Sequence, residues 1–118
     1  MENSGVTFPQ GFLAAGISAG IKKSGKPDFA IVFSEFPATV AAVYTTNKVK
    51  AAPVVRDKQI TDNGGKIKAI VINSGNANAC TGEQGTIDAQ KTAVLVAKEL
   101  SCLPEEVLTC STGVIGVT

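Results

Sequence analysis

Residues 68–85 read KAIVINSGNANACTGEQG, and this stretch constrains the chain more than any other. The apolar run Lys66 to Ile72 predicts a strand. It stops at Asn73, Ser74, Gly75, Asn76 and Asn78. Asn bonds its own backbone locally and tolerates positive φ, as Gly does, so these residues predict a compact polar turn. Ala89, Ala93, Val96, Ala97 and Leu100 then recur at three- and four-residue spacing, which predicts an amphipathic helix over Thr86 to Leu100. Glu83 and Asp88 near its start and Lys98 near its end suit the helix dipole, and Pro104 stops any extension. A polar turn between two rigid elements exposes backbone N–H groups and is a common scaffold for a site.

The other elements are weaker. Phe8 to Ser18 carries Gly11 and Gly16 and reads as an interrupted strand, followed by a turn over Ile21 to Pro27. Phe29 to Ser34 is a strand whose nearly continuous apolar run suggests burial on both faces. Pro37 is expected to break it. Ala38 to Thr45, rich in Val, Thr and Tyr, reads as a second strand, and Glu35-Phe36-Pro37 would join the two as an antiparallel hairpin. Ala51 to Asp62 suits a strand at Val54-Val55 and a helical turn at Asp57 to Ile60. Asn63-Gly64-Gly65 is a turn. Glu106 to Cys110 reads as a short strand leading into a turn at Thr112-Gly113. No internal repeat or linker is visible, so the 118 residues are one domain or part of one.

Composition excludes several functions. With 44% hydrophobic and 18% charged residues the chain has material for a core, built on Val, Ile, Ala and Leu because Trp is absent. Net charge is +1, and the cluster Lys22, Lys23 and Lys26 has no interleaved aromatics, so nucleic acid is not an expected partner. There is no His, which removes the commonest general base and metal ligand. Cys80, Cys102 and Cys110 form no C-x-x-C pair, so neither a zinc site nor a disulfide framework is expected, and free thiols fit a reducing cytoplasm. Cys80 and Cys110 read as buried small hydrophobes. No apolar run reaches membrane-spanning length. The polar start, Met1 to Gly5, resembles neither a signal peptide nor a transit segment.

Two segments could carry chemistry. Ser111-Thr112-Gly113 is either an ordinary strand-ending turn or an oxyanion hole, since Gly lets backbone donors approach a developing negative oxygen. In the loop from Asn73 to Gly82, Asn78 and Thr81 could be polar contacts in the wall of a binding site. Alternatively the asparagines satisfy backbone groups where strand meets helix, a role that suits Asn73 and Asn76. The loop lacks Gly-Lys-Ser/Thr and G-x-G-x-x-G, so nucleotide binding is unsupported. Tyr44 and Thr45 suit ligand contact and core packing equally.

In order and separation, SGNANACTGEQG and STGVIG resemble the N-terminal part of the ornithine acetyltransferase family. ATVAAVYTTN at 38–47 and PQGF at 9–12 support the match, which covers essentially the whole chain. The resemblance implies an arginine-biosynthesis enzyme that moves acetyl from N-acetylornithine to glutamate in a ping-pong cycle. It implies a precursor that cuts itself before a threonine, whose new N-terminal amine activates the hydroxyl as nucleophile. That threonine lies outside this chain. Thr112 and Gly113 are the implied oxyanion hole, with the Thr hydroxyl and Gly amide as donors. No cofactor is implied, though acetyl-CoA serves some members as co-substrate. The implied fold is α/β (α+β), a layered sandwich with a mostly antiparallel sheet and packed helices. Residues 1–118 would be the incomplete N-terminal portion of a single α-chain domain. The rest of the α chain and the β chain would complete an α2β2 heterotetramer, and this segment alone is expected to be inactive. The competing reading is a stand-alone small α/β binding or scaffold module with an Asn/Gly-rich ligand loop.

Overall fold

Alternation of side chains along the strands, and one long helix of small residues, organise the chain. The computed structural model describes residues 5–118; residues 1–4, most of the polar start, lie outside the described residues. The elements are β1 (Phe12–Ile17), β2 (Phe29–Ala38), α1 (Ala52–Asp62), β3 (Ile67–Asn76), α2 (Gly82–Leu100) and β4 (Val107–Val114), with single 3-10 turns at Gly5–Thr7 and Pro104–Glu106. The sheet order is β1-β2-β3-β4. The first two pairings are antiparallel and β3–β4 is parallel. Parallel neighbours need a long crossover, and α2 supplies it. This is the mixed, mostly antiparallel α+β class that the resemblance implied.

Both helices pack on one face of the sheet. Ala69 and Val71 of β3 and Val107 of β4 meet Ala93, Val96 and Ala97 of α2, flanked by Phe29, Ile31 and Phe33 of β2. Ala89, Ala93 and Ala97 recur every four residues, so α2 presents a stripe without bulk and lies close to the strands. Arg56 ties α1 into this layer. Its guanidinium donates to Gln90 Oε1 at 2.9 Å, to the Val107 carbonyl at 2.6 Å and to the Pro104 carbonyl at 2.8 Å.

Four expectations are corrected. The hairpin of Phe29–Ser34 with Ala38–Thr45 is absent. Instead β2 runs through Pro37 to Ala38, with an irregular register between Phe33 and Ala38, where a residue lacking an N–H is tolerated. Both edges of β2 are taken by β1 and β3, so Ala38–Thr45 has no strand to pair with. Residues 39–50 have no regular structure, Val43 is fully exposed, and the Tyr44 hydroxyl bonds Thr61 Oγ1 at 2.9 Å. Second, Ala51–Asp62 resolves as a helix, begun with Pro53 in its first turn, where the fixed φ of Pro is already helical. Third, α2 begins at Gly82, a turn earlier than the apolar periodicity indicated. Fourth, Cys80 and Cys110 are exposed rather than buried. Cys110 follows Thr109, which faces α1, so it stands on the uncovered face of the sheet; Cys80 sits in a turn with φ of 56°.

Candidate functional site

The Asn/Gly stretch was expected to turn immediately after Ile72, and Ser111-Thr112-Gly113 to turn after Cys110. Instead both continue as strand. Asn73 pairs with Ser111, Ser74 with Thr112, Gly75 with Gly113 and Asn76 with Val114. Gly75 and Gly113 have φ of +102° and +130° and lie against each other. A Cβ on Gly113 would stand 2.6 Å from the Asn76 amide nitrogen and 2.8 Å from the Gly75 Cα. No side chain fits there, so glycine is what allows the ladder to continue at this close approach.

The direction of the β4 backbone groups follows from two tertiary bonds. Along a strand, the N–H and C=O of one residue point to one side and those of the next residue to the other. The Val107 carbonyl accepts from Arg56, and the Thr109 N–H donates to Asp57 Oδ1 at 2.9 Å. Odd-numbered residues of β4 therefore turn away from β3, toward the outer edge of the sheet. The Thr112 carbonyl, even-numbered, faces β3, and the Gly113 N–H, opposite it across the same trans peptide, points off β3 at the kind of open edge that presents unpaired donors. The Thr112 side chain stands on the face opposite the helices. It lines a cavity of about 200 Å³ with Gly16, Asp28, Ala30, Ile72 and Ser74. Thr112 and Gly113 are both exposed, which leaves a side-chain and a backbone donor one peptide apart and open to solvent.

Asn78 and Thr81 are brought together with each other. Thr81 Oγ1 donates to Asn78 Oδ1 at 2.7 Å, and Asn78 Nδ2 donates to the Gly85 carbonyl at 2.9 Å. The Asn78 N–H donates to Asn76 Oδ1 at 2.8 Å. These bonds fold the loop onto the first turn of α2. Gly85 is what makes room, since a Cβ there would stand 2.5 Å from Asn78 Oδ1. Asn78 borders a cavity of about 250 Å³ shared with Asn73, Asn76, Thr109 and Ser111, whereas Thr81 faces a groove of about 420 Å³ between the helices. Neither cavity includes Thr112. Asn73 borders both the Asn78 cavity and the Thr112 cavity.

Two buried carboxylates beside the site were not anticipated. Asp28 is 3% exposed. Its carboxylate accepts from the Ala19 and Lys22 N–H groups at 2.6 and 2.8 Å, and its carbonyl accepts from the Ser74 N–H at 2.9 Å. Those amide donors hold its pKa below the usual aspartate value. Asp57 is buried against Thr109, accepting from its N–H and, at 3.3 Å, from its hydroxyl. Burial pushes the Asp57 carboxyl up, against the opposing pull of the Thr109 bonds and of Arg56 at 3.7 Å. A sequence signal existed for Asp28, an acid in a Gly- and Lys-rich turn beside Pro27. None existed for Asp57, whose burial depends on how α1 docks. Among the described residues no group of His, Cys, Asp and Glu is arranged to hold a metal, and no helix is long and apolar enough to cross a membrane.

Comparison with known proteins places this arrangement in context. The ArgJ family model matches residues 13–118. The arginine biosynthesis bifunctional protein ArgJ of Caldanaerobacter subterraneus is 56% identical over 112 residues, 95% of this chain and 27% of that protein. Its counterpart in Geobacter sulfurreducens is 56% identical over 108 residues, 92% of this chain and 27% of that protein. The crystal structure of ornithine acetyltransferase complexed with ornithine from Mycobacterium tuberculosis matches with a TM-score of 0.93 at 48% identity, covering 99% of this chain and 63% of that one. Arginine biosynthesis bifunctional protein ArgJ from Bacillus halodurans matches with a TM-score of 0.92 at 41% identity, covering 99% of this chain and 61% of that one. The chain thus spans 27% of the length of these two curated relatives.

Proposed function

The chain belongs to the ArgJ family, and on that premise we propose that it is the N-terminal part of an acetyltransferase of arginine biosynthesis, moving acetyl from N-acetylornithine to glutamate. Residues 1–118 form the first portion of a single α-chain domain. The remaining α chain and the β chain complete it in a cytoplasmic α2β2 assembly after the precursor cuts itself. Acetyl-CoA is an alternative acetyl donor.

In this reading a threonine hydroxyl outside the chain attacks the acetyl carbonyl of N-acetylornithine. The carbonyl oxygen takes the negative charge of the tetrahedral intermediate. Thr112 donates its hydroxyl and Gly113 its N–H to that oxygen. Collapse breaks the C–N bond, and ornithine leaves as the amine with a proton while acetyl remains on the threonine. The glutamate amine then attacks the acetyl ester, the same two donors hold the second oxyanion, and the threonine recovers its proton as N-acetylglutamate leaves. Donors fixed before the reaction need no reorganisation as charge develops, and each contributes roughly 3 kcal/mol in enzymes of acyl transfer. Asn78 and Thr81 serve this site indirectly: bonded to each other, they hold the neighbouring loop onto the first turn of α2 and do not border the Thr112 cavity.

The observation that carries this reading is the exposed Thr112–Gly113 pair at the open edge of β4, whose peptide plane turns the Gly113 N–H off β3. The experiment is acetyl transfer from N-acetylornithine to glutamate by the complete protein that contains this segment. Thr112→Ala is expected to lower kcat by on the order of 10²- to 10³-fold. An unchanged kcat would remove the oxyanion role. Residues 1–118 alone are expected to transfer no acetyl.

A further inference from the structure

We propose that Asn73 is a positioning residue for acetyl transfer, acting through Ser111 to fix the Thr112–Gly113 donors; the proposal rests on the oxyanion-hole reading. Ser111 immediately precedes Thr112, and its hydroxyl donates to Asn73 Oδ1 at 2.5 Å. The other half of the same amide, Asn73 Nδ2, donates to the Asn76 carbonyl at 2.9 Å. One side chain therefore anchors β4 at residue 111 and β3 at residue 76. Between those anchors lie Gly75 and Gly113, facing each other with φ of +102° and +130°.

Two facing glycines create the problem that Asn73 solves. Glycine explores far more φ and ψ than other residues, so a ladder continued through a Gly–Gly pair is poorly fixed by its own backbone. Neighbouring side chains must supply the constraint: Ile21 lies against Gly75, but this half of the ladder has no buried apolar residue of its own to hold Gly113. The Asn73 amide supplies it with a donor and an acceptor used at once. Asp at this position would lose the donor, and Ala would lose both. The Ser111 and Asn73 side chains lie on the helix side of the sheet, sharing a cavity with Thr109, while Thr112 lies on the other side. Asn73 thus acts on the donors through the backbone.

A misplacement near 1 Å costs on the order of 100-fold in rate. In the complete, cleaved enzyme, Asn73→Ala and Ser111→Ala are each expected to lower kcat by about tenfold to 100-fold. KM should change little, because the oxyanion exists only beyond the ground state. The double variant should be no slower than Asn73→Ala alone, since Asn73→Ala already removes the one bond that Ser111→Ala removes. Ser111→Thr keeps the hydroxyl, has the adjoining cavity for its methyl group, and should recover most of the rate. Val96→Ala, in the core and outside this network, should lower the melting temperature with kcat intact. Losses that multiply in the double variant would overturn the proposal. So would a Val96→Ala variant matched in stability that loses as much kcat. If Asn73→Ala does not fold, Ser111→Ala carries the same expectation. Failure of the two readings is separable: an unaffected Thr112→Ala overturns the oxyanion hole, whereas a slow Thr112→Ala with normal Asn73→Ala and Ser111→Ala overturns positioning alone.

Discussion

The β3–β4 ladder is built twice in one run of paired residues. In its first half, Ala69, Val71, Val107 and Thr109 are at most 4% exposed, covered by the helices. In its second half, Asn73 to Asn76 pair with Ser111 to Val114, and none of these residues is buried. The pairing geometry is continuous, but the forces that hold it change midway. Burial is strong and non-directional, so it fixes where a strand lies and not where one N–H points. Hydrogen bonds with angular preference and close backbone contact fix direction. The half that is held by direction is the half that carries the proposed donors.

The sharpest way to break this contrast is Gly113→Ala. The added Cβ meets the Asn76 nitrogen and the Gly75 Cα, at a φ of +130° that L-residues rarely adopt. The ladder must open there, displacing the donors. We expect acetyl transfer by the complete protein to fall by at least about 100-fold, with a stability loss of roughly 1–3 kcal/mol from the forced backbone. A variant with a normal kcat would mean that the second half has no special geometry.

The mirror experiment lies in the first half. Val107 is fully buried, and Val107→Ala removes two methyl groups from contact with α2. At about 0.8 kcal/mol per buried carbon, plus a cavity that relaxes only partly, the expected loss is about 2–3 kcal/mol by denaturant unfolding. The kcat of the protein that remains folded should be unchanged. A fall in kcat equal to that of Gly113→Ala would show that the two halves are not mechanically separate.

The same contrast explains which parts of the chain were legible in sequence. Apolar spacing at Ala89, Ala93, Val96 and Ala97 identified α2, and the run to Ile72 identified most of β3, because burial leaves a periodic signature. The family resemblance pointed to Thr112 and Gly113 as implied donors. Their strand conformation was not legible, because Asn, Ser and Gly are turn residues unless a second strand of the same composition lies alongside, and that pairing spans the whole of α2. Ala38–Thr45 failed for the complementary reason: its β-forming residues met a sheet whose adjacent edges were already filled. Local preference decides only where no neighbour competes.

The smallest expected effects separate the two buried carboxylates, one for each half. Asp28 supports the second half through Ser74 and has its pKa lowered by the amides of Ala19 and Lys22. The unfolded chain then binds its proton more readily than the fold does. The stability Asp28 contributes is present above the ordinary aspartate value of about 3.9 and is lost as pH falls through its lower folded value. Asp57 braces the first half at Thr109 and has its pKa raised by burial. Here the fold binds the proton more readily, so stability declines as pH rises from about 3.9 through the raised value, and is flat above it. Asp28→Asn should destabilise the protein at pH 7, because one of two amide donors then faces an NH2 group rather than an oxygen. It should also remove the acid-side loss. Asp57→Asn keeps an oxygen for Thr109 and discharges the buried site, so unfolding at pH 7 should be unchanged or slightly harder. Denaturant midpoints of the complete protein and both variants at pH 2.5, 4, 5.5 and 7 provide the comparison. Shifts of the same sign for both variants at pH 7 would show that the carboxylates do the same job and that their opposite environments are without consequence.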